Sequence, residues 1–241
     1  RAAQAFRHAL FLTARLQFWE EADMAWAYRN VDDLPSEIPV FPLADCLLLP
    51  RCDLPLNIFE PRYLAMVDAA LKGSRLIGMI QPQTASPESQ APVLAPIGCV
   101  GRIVRYLEAD ERYLISLKGV CRFRIQHEVE AETPFRVFSV DFAEFRADLG
   151  QPENVDAQDR RSVIEALWRY ADAHAIQIDR EAIEQASDEL LINALSMMSP
   201  FGAQGKQTLL EAKGLRERAN ALVRLADLDA VPTERNRSRM H

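Results

Sequence analysis

The sequence predicts an α+β protein in which a β-rich part precedes a helical part. Between residues 36 and 150, apolar and polar residues alternate with a period of two in several short segments, which is typical of half-buried strands. After the break at Gly150-Gln151-Pro152, apolar residues instead recur every three or four positions, as on one face of a helix. The 241 residues are therefore expected to form two subdomains, 36–150 and 151–231.

The strands of the first part follow from alternation and from the prolines and glycines between them. Residues 39–43 form an extended segment whose prolines favour an edge strand. Further strands are predicted at 75–81, 97–108, 113–118, 121–127 and 135–142, and residues 109–111 are expected to be a hairpin turn. Within 121–127, alternation places Cys121, Phe123, Ile125 and His127 on the buried side and the arginines on the solvated side.

Helices are predicted at one place in the first part and throughout the second. Pro61 stands where a first helical residue belongs, apolar residues follow at helical spacing to Lys72, and Gly73 supplies a stop. Glu60 then lies at the helix N-terminus, where the macrodipole favours a carboxylate. In the second part, helices are expected at about 153–174, 179–197, 203–213 and 214–229, and their apolar stripes predict helix-on-helix packing.

The two ends of the chain differ from the rest. Residues 1–35 are interpreted as an N-terminal extension that is helical, because 1–19 combine three arginines with many apolar residues and no acid. Residues 232–241 form a basic tail. No run approaches the roughly 18 apolar residues of a membrane span, and four cysteines are ordinary for a reduced intracellular protein. We therefore expect a cytoplasmic protein that does not enter the membrane.

Patterns for catalysis, cofactors and metals are weak. Cys46, Cys52, Cys99 and Cys121 form no C-x-x-C pair, which argues against a metal site. The segment Gly202 to Thr208 has two residues between its glycines, whereas a phosphate loop needs four. There is no G-x-S-x-G motif and no defensible acid–base pair. The sequence therefore predicts no enzyme activity, no catalytic residue, no cofactor and no metal.

The most unusual stretch runs from Leu54 to Tyr63, where an extended apolar segment leads directly into the helix that Pro61 starts. In a structural interpretation, Ile58 and Phe59 belong to the core, and Glu60 with Arg62 fixes the corner between strand and helix. In a functional interpretation, this corner frames an apolar groove for a peptide. Extended clients would then pair with a proline-limited sheet edge. The candidate peptide-binding residues are Phe41, Leu43, Leu56, Phe59, Arg62 and Tyr63, with Glu60 and Pro61 as the structural corner.

Basic and aromatic residues also interleave in two strands, which leaves RNA binding as an alternative. That alternative requires Arg102, Arg105, Arg122 and Arg124 to form one exposed face. A net charge of −7 disfavours a large phosphate-binding surface, and nucleic acid is not the expected partner.

Several of these segments resemble the N-terminal domain family of Lon proteases over about residues 36–228. The Ile-Phe-Glu-Pro-Arg-Tyr stretch at 58–63 is the most specific match, although Asn57 stands where many members carry a histidine. The other matching segments are Ile38–Leu43, Leu49–Pro50, Leu54–Asn57, Ile97–Gly101, Lys118–Phe123, Lys206–Gln207, Leu209–Glu211 and Arg216–Leu225.

This resemblance implies a PUA-like pseudo-barrel followed by a helical bundle, and a role in recognising unfolded proteins or peptides. The 241 residues lack the ATPase module and the Ser–Lys peptidase of Lon, so the chain resembles a stand-alone bacterial member of the kind labelled peptidase S16. No residue here supports that catalytic label. An adaptor for a separate ATP-dependent protease is a further alternative, and the oligomeric state is left open.

Overall fold

The chain divides into two compact units, with the boundary between Gln151 and Pro152. The computed structural model describes residues 28–83, 92–109, 112–174 and 179–230. Most of the predicted N-terminal extension and the whole basic tail therefore lie outside the described residues. The boundary between the units falls one residue after the predicted end of the β-rich part.

The first unit is built on a mixed sheet of six strands around one helix. Its elements are β1 (Glu37–Pro42), β2 (Asp53–Ile58), α1 (Pro61–Lys72), β3 (Leu76–Ile80), β4 (Ile97–Ala109), β5 (Arg112–Val129) and β6 (Val137–Asp141). The strand order is β2-β5-β4-β3-β1-β6, and β6 also pairs with β5. This last pairing closes five strands into a barrel and leaves β2 attached to β5 outside it. The predicted α+β class is confirmed.

Strand β1 lies inside the sheet, so the prediction of an edge strand at 39–43 is wrong. It pairs in parallel with β3 from Val40 onward and antiparallel with β6 up to Pro39. The Val40 N–H donates to the carbonyl of Arg136. The backbone N–H and C=O groups of even-numbered residues of β1 therefore point toward β6, and those of odd-numbered residues point toward β3. Pro39 lacks its N–H on the β3 side, where pairing begins only at Val40, and Pro42 lacks its N–H on the β6 side, where pairing ends at Pro39. The interior strand therefore tolerates both prolines.

Strand β5 is one strand of 18 residues, where the sequence predicted two. Register shifts near Gly101 and after Ile103 keep β5 paired with β4 from one end of β4 to the other. Its buried middle contains Phe123, whose ring fills the barrel: a Cβ added at Gly98 or Gly78 would come within 2.5 Å or 2.9 Å of that ring. Glycine at these two positions makes room for the aromatic side chain.

Arg122 is buried, with 2% of its surface exposed, so the prediction that the arginines of this strand face solvent is wrong for it. A 3-10 helix at Ala143–Leu149 covers the outside of the barrel here, so both faces of β5 are buried. The same prediction placed His127 on the buried side, but His127 is exposed. A register shift between Ile125 and His127 in the pairing with β6 interrupts the alternation before it.

Asp148 neutralises the buried Arg122 guanidinium. Its Oδ1 lies 2.8 Å from Arg122 Nη2, and its Oδ2 accepts from Nε and from the backbone N–H of Arg122, each at 2.9 Å. Burial alone would lower the pKa of Arg122, but the hydrogen bonds and charge of Asp148 outweigh it and raise that pKa. Arg51 donates to the backbone carbonyl of Asp148, so the loop before β2 is tied to the same point.

The free edge of the sheet belongs to β2, because no other strand in the described part of the chain pairs with it besides β5. The Gly119 N–H donates to the carbonyl of Cys52, so even-numbered residues of β2 bond to β5 and Asp53, Pro55 and Asn57 point their backbone groups outward. Pro55 has no N–H, so this edge lacks a donor at its centre. A strand added here would leave one carbonyl unpaired.

The second unit consists of helices α2 (Ala157–Ala173), α3 (Arg180–Gln185), α4 (Asp188–Met198), α5 (Gly202–Glu211) and α6 (Leu215–Ala230). The single helix predicted at 179–197 is two helices, because Ser187 caps a new one by accepting from the Leu190 N–H. Helices α2 and α6 pack on each other through Ala166, Tyr170 and Ala226. The glycine-rich segment starting at Gly202 is a helix, and its Lys206 donates to the Met197 carbonyl at the end of α4.

Replacing Asp148 by Asn is expected to destabilise the first unit. The change leaves the Arg122 charge buried without a counter-ion, which costs about 3–5 kcal/mol in the free energy of unfolding measured by urea denaturation. The matched control is Glu144→Gln, because the Arg124–Glu144 ion pair is exposed and contributes at most about 1 kcal/mol. Equal effects of the two variants would contradict the role assigned to Asp148.

Replacing Pro55 by Val is expected to promote self-association. Valine restores the missing N–H at the free edge and favours strand structure. Sedimentation velocity should then show species larger than those of the parent chain, increasing with protein concentration. Pro134→Val is the control, because Pro134 is exposed and lies outside the strands. An unchanged sedimentation profile of folded Pro55→Val protein would show that the proline does not protect this edge.

Candidate functional site

The corner between β2 and α1 is formed by Glu60, Pro61 and Arg62. Pro61 is the first residue of the helix, and Glu60 is its N-cap without a side-chain capping bond. The Glu60 carboxylate instead accepts from Arg62, with Oε2 lying 3.1 Å from Nε and 2.9 Å from Nη2. The Arg62 guanidinium lies 4.5 Å from the centre of the Tyr63 ring. These contacts lie at the point where the helix leaves the strand.

Two of the six predicted binding residues are part of the core. Phe41 and Tyr63 are each 7% exposed, and their ring centres lie 4.3 Å apart. Burial raises the pKa of the Tyr63 hydroxyl. This pair packs α1 against β1. Leu43 and Leu56 are half-buried, and Arg62 is exposed.

Phe59 is 62% exposed, so its interpretation as a core residue is wrong. It directly follows β2, where Asn57 pairs with Leu114 of β5 and Leu114 pairs with Leu107 of β4. Leu107 and Leu114 are 59% and 47% exposed, whereas the adjacent Ile115 is buried. We call the solvent side that Asn57, Leu107 and Leu114 share the outer face. By alternation, Phe59 continues this face beyond the end of β2.

Leu107 and Leu114 are not among the residues predicted from the sequence, although the sequence contains a signal for both. Each directly follows a tyrosine, in the pairs Tyr106-Leu107 and Tyr113-Leu114. Two adjacent apolar residues in a strand break the period of two, so one of them must face solvent. The register of the hairpin places Leu107 directly opposite Leu114.

The inner side of the same hairpin is held against α1 by a hydrogen bond. The Tyr113 hydroxyl donates to Asp68 Oδ1 over 2.7 Å, and this bond is the main cause that raises the pKa of Tyr113 to about 12. The hairpin end is therefore attached to the helix on its inner side, while its outer face carries the exposed leucines.

The four arginines of the RNA-binding alternative do not form one exposed face. Arg122 is buried on Asp148, and Arg124 forms an ion pair with Glu144 at 2.7 Å. Arg102 is half-buried and donates to the Ser74 carbonyl over 2.8 Å. This arrangement removes the observation that would have favoured a nucleic-acid interface.

The described residues give little support for thiol chemistry or for metal binding. Burial raises the pKa of the Cys99 and Cys121 thiols well above the ordinary value, which disfavours the nucleophilic thiolate. In the described ranges, no group of three or more histidine, cysteine or acidic residues is placed to hold a metal ion. Among the helices of those ranges, none combines the length and apolarity that crossing a membrane requires.

Comparisons with known proteins agree on one family. The model of the ATP-dependent protease La (LON) substrate-binding domain matches residues 37–227. Lon proteases of Desulfosudis oleivorans and Flavobacterium johnsoniae are 23% and 29% identical to the chain over 81% and 85% of its length. The chain spans about a quarter of the length of these relatives, 24% and 26%.

Solved structures share the fold. A crystal structure of a Lon N-terminal domain protein from Xanthomonas campestris has a TM-score of 0.57 at 19% identity, and covers 79% of this chain and 98% of its own. The N-terminal domain of the Mycobacterium avium complex Lon protease has a TM-score of 0.55 at 17% identity, with the same coverage. The family predicted from the sequence is confirmed: the chain belongs to the Lon substrate-binding domain family.

Proposed function

We propose that this chain is a non-catalytic protein-binding module that holds unfolded polypeptide segments. The observation that carries this proposal is the exposure of Phe59, Leu107 and Leu114 around one face of a hairpin, in a fold of the Lon substrate-binding family. Contiguous apolar side chains on a surface typically mark an interaction site. An unfolded segment exposes the apolar side chains that this surface can cover.

The size of the surface favours weak and tolerant binding. Fully burying one large apolar side chain contributes about 1.5–3 kcal/mol, and these three side chains are each about half exposed. Covering them therefore contributes only a few kcal/mol before the entropy of association is subtracted. Such binding suits transient capture of many different segments rather than tight binding of one partner.

The same proposal accounts for the other expected properties of the chain. Its matched residues correspond to a substrate-binding domain, so in this proposal unfolding and cleavage of the clients would be the work of an ATP-dependent protease. The proposed setting is the cytoplasm, where such clients occur. Folded proteins and RNA are disfavoured as partners, because the surface is small and lacks a continuous arginine face.

Replacing Phe59 and Leu114 by serine is expected to weaken client binding at least about tenfold, because each change removes apolar area worth roughly 1 kcal/mol or more. Fluorescence anisotropy with a labelled, reduced and alkylated model protein that cannot fold would measure the dissociation constant. Both side chains are exposed, so the thermal unfolding temperature should change little.

The matched control is Val93→Ser, because Val93 is 63% exposed in the same unit but lies outside the outer face. It should leave client binding unchanged. Equal binding by the parent chain and the Phe59→Ser/Leu114→Ser variant would refute the proposed site.

A further inference from the structure

We propose that an unfolded client adds as an antiparallel strand to an open edge of β4, with apolar residues over the outer face and β-branched residues on the opposite side. This inference rests on the proposed function and adds the binding mode and the class of segment that is preferred. It is carried by the backbone groups that β4 points outward where it extends past its neighbour β3.

Strand β4 continues beyond the part that β3 covers. Strand β3 pairs with β4 only as far as Arg102, and the Ile103 N–H then donates to the Arg75 carbonyl over 2.8 Å on the same side. No strand of the described ranges pairs with this side of β4 at residues 104–108. We call this stretch, on the side away from β5, the β4 edge. Its residues 105–108 are all exposed, so solvent reaches it.

The register of the neighbouring strands decides which backbone groups point toward the β4 edge. Even-numbered residues of β2 bond to β5, so the odd-numbered residues of β5 opposite them use their backbone groups on β2, and its even-numbered residues bond to β4. Leu114 belongs to this even-numbered set and lies opposite Leu107, so Leu107 bonds to β5. Its neighbours Tyr106 and Glu108 therefore point their N–H and C=O groups outward.

The β4 edge has the donors that the edge of β2 lacks. On β2, the central outward position is Pro55, which has no N–H to offer. On β4, Tyr106 and Glu108 both keep their N–H, so this edge presents two donors and two acceptors at a spacing of about 7 Å. Because an antiparallel client strand can pair with all four groups, the β4 edge is the better template for strand addition.

The side chains along the β4 edge determine which clients fit. In an antiparallel pair, residues directly opposite each other share a face, with their Cβ atoms about 4.5–5.5 Å apart. A client residue opposite Leu107 therefore lies over the outer face, and its two neighbours lie beside Tyr106 and Glu108 on the other face. An apolar residue suits the first position. β-branched residues suit the other two, because they favour strands and pack on aromatic side chains.

Strand addition also selects unfolded clients over folded ones. In a folded protein, nearly all buried backbone N–H and C=O groups of strand-forming segments are already hydrogen-bonded. An unfolded segment has these groups available for the β4 edge. Leu107 belongs both to this edge and to the outer face, so one unfolded segment can pair with the edge while its flanking residues cover Leu114 and Phe59.

The first test measures binding of the labelled and capped peptide Thr-Leu-Thr-Phe-Thr-Leu-Thr to the full chain. With its leucines and phenylalanine over the outer face, its threonines lie opposite Tyr106 and Glu108 and donate their N–H groups to β4. N-methylation of the two central threonines removes two of these donors and should weaken binding at least about tenfold. N-methylation of the two leucines is the matched control. Their amides point away from β4, so the dissociation constant should change by less than about twofold.

The second test changes the protein. Glu108→Pro removes one outward N–H without removing a bond to β5, and should weaken binding of the unmodified peptide about fivefold. Glu108→Gln is the matched control, because it removes the same charge and keeps the N–H; it should bind the peptide within about twofold of the parent chain. Both variants should unfold near the thermal unfolding temperature of the parent, since an edge position tolerates proline.

The outcomes separate this inference from the proposed function. Equal binding of both N-methylated peptides and the unmodified one, with Phe59→Ser/Leu114→Ser still weakening binding of the unfolded protein, would overturn strand addition and leave the proposed function standing. Loss confined to the leucine-methylated peptide would contradict the antiparallel arrangement. A client-free dimer in sedimentation velocity that Glu108→Pro abolishes would show that a second copy, and not a client, occupies the edge. Failure of the peptide and of the unfolded protein to bind would overturn both proposals.

Discussion

The length of β5 is the constraint on which the first unit depends. A strand of 18 residues is longer than one side of a small barrel, so its later half closes the barrel against β6 while its earlier half extends past the barrel with β4 and β2. On one side of the projecting half, Tyr113 is attached to α1 through Asp68, and the leucines of the other side remain in solvent. The outer face therefore exists because a long hairpin continues beyond the barrel that holds it.

The buried ion pair of Arg122 and Asp148 fixes the position on β5 where the strand passes from the barrel to the projecting half. Arg122 and Asp148 join β5 to the segment that covers the barrel, and Arg51 brings the loop before β2 to the same point. A hydrophobic pair could pack there at similar stability, but it would not specify position through three hydrogen bonds from one residue to one carboxylate. The ion pair thus sets the register from which the free hairpin end projects.

Local periodicity and the positions of proline and glycine predicted the α+β class, the start of α1 at Pro61 and the succession of strands. The family was predicted from the resemblance of motifs such as the Ile-Phe-Glu-Pro-Arg-Tyr stretch. The sequence patterns failed for residues whose burial is set by tertiary contacts. Arg122 has the alternation of an exposed residue, but Asp148, 26 residues away, makes it a core residue. Phe41 and Tyr63 are of residue types that are common at binding surfaces, but in the structure their rings pack on each other. Leu107 and Leu114 were detectable as interruptions of the alternation, whereas their alignment across the hairpin required the register.

The most direct test of the central claim, that the outer face holds the client, is a methyl NMR titration with an unfolded protein. With leucine methyl groups labelled in the full chain, the account predicts that the signals of Leu107 and Leu114 shift first and saturate together. The exposed Leu190 and Leu228 of the helical unit should stay in place. Saturable shifts at Leu190 or Leu228 without shifts at Leu107 and Leu114 would contradict the account.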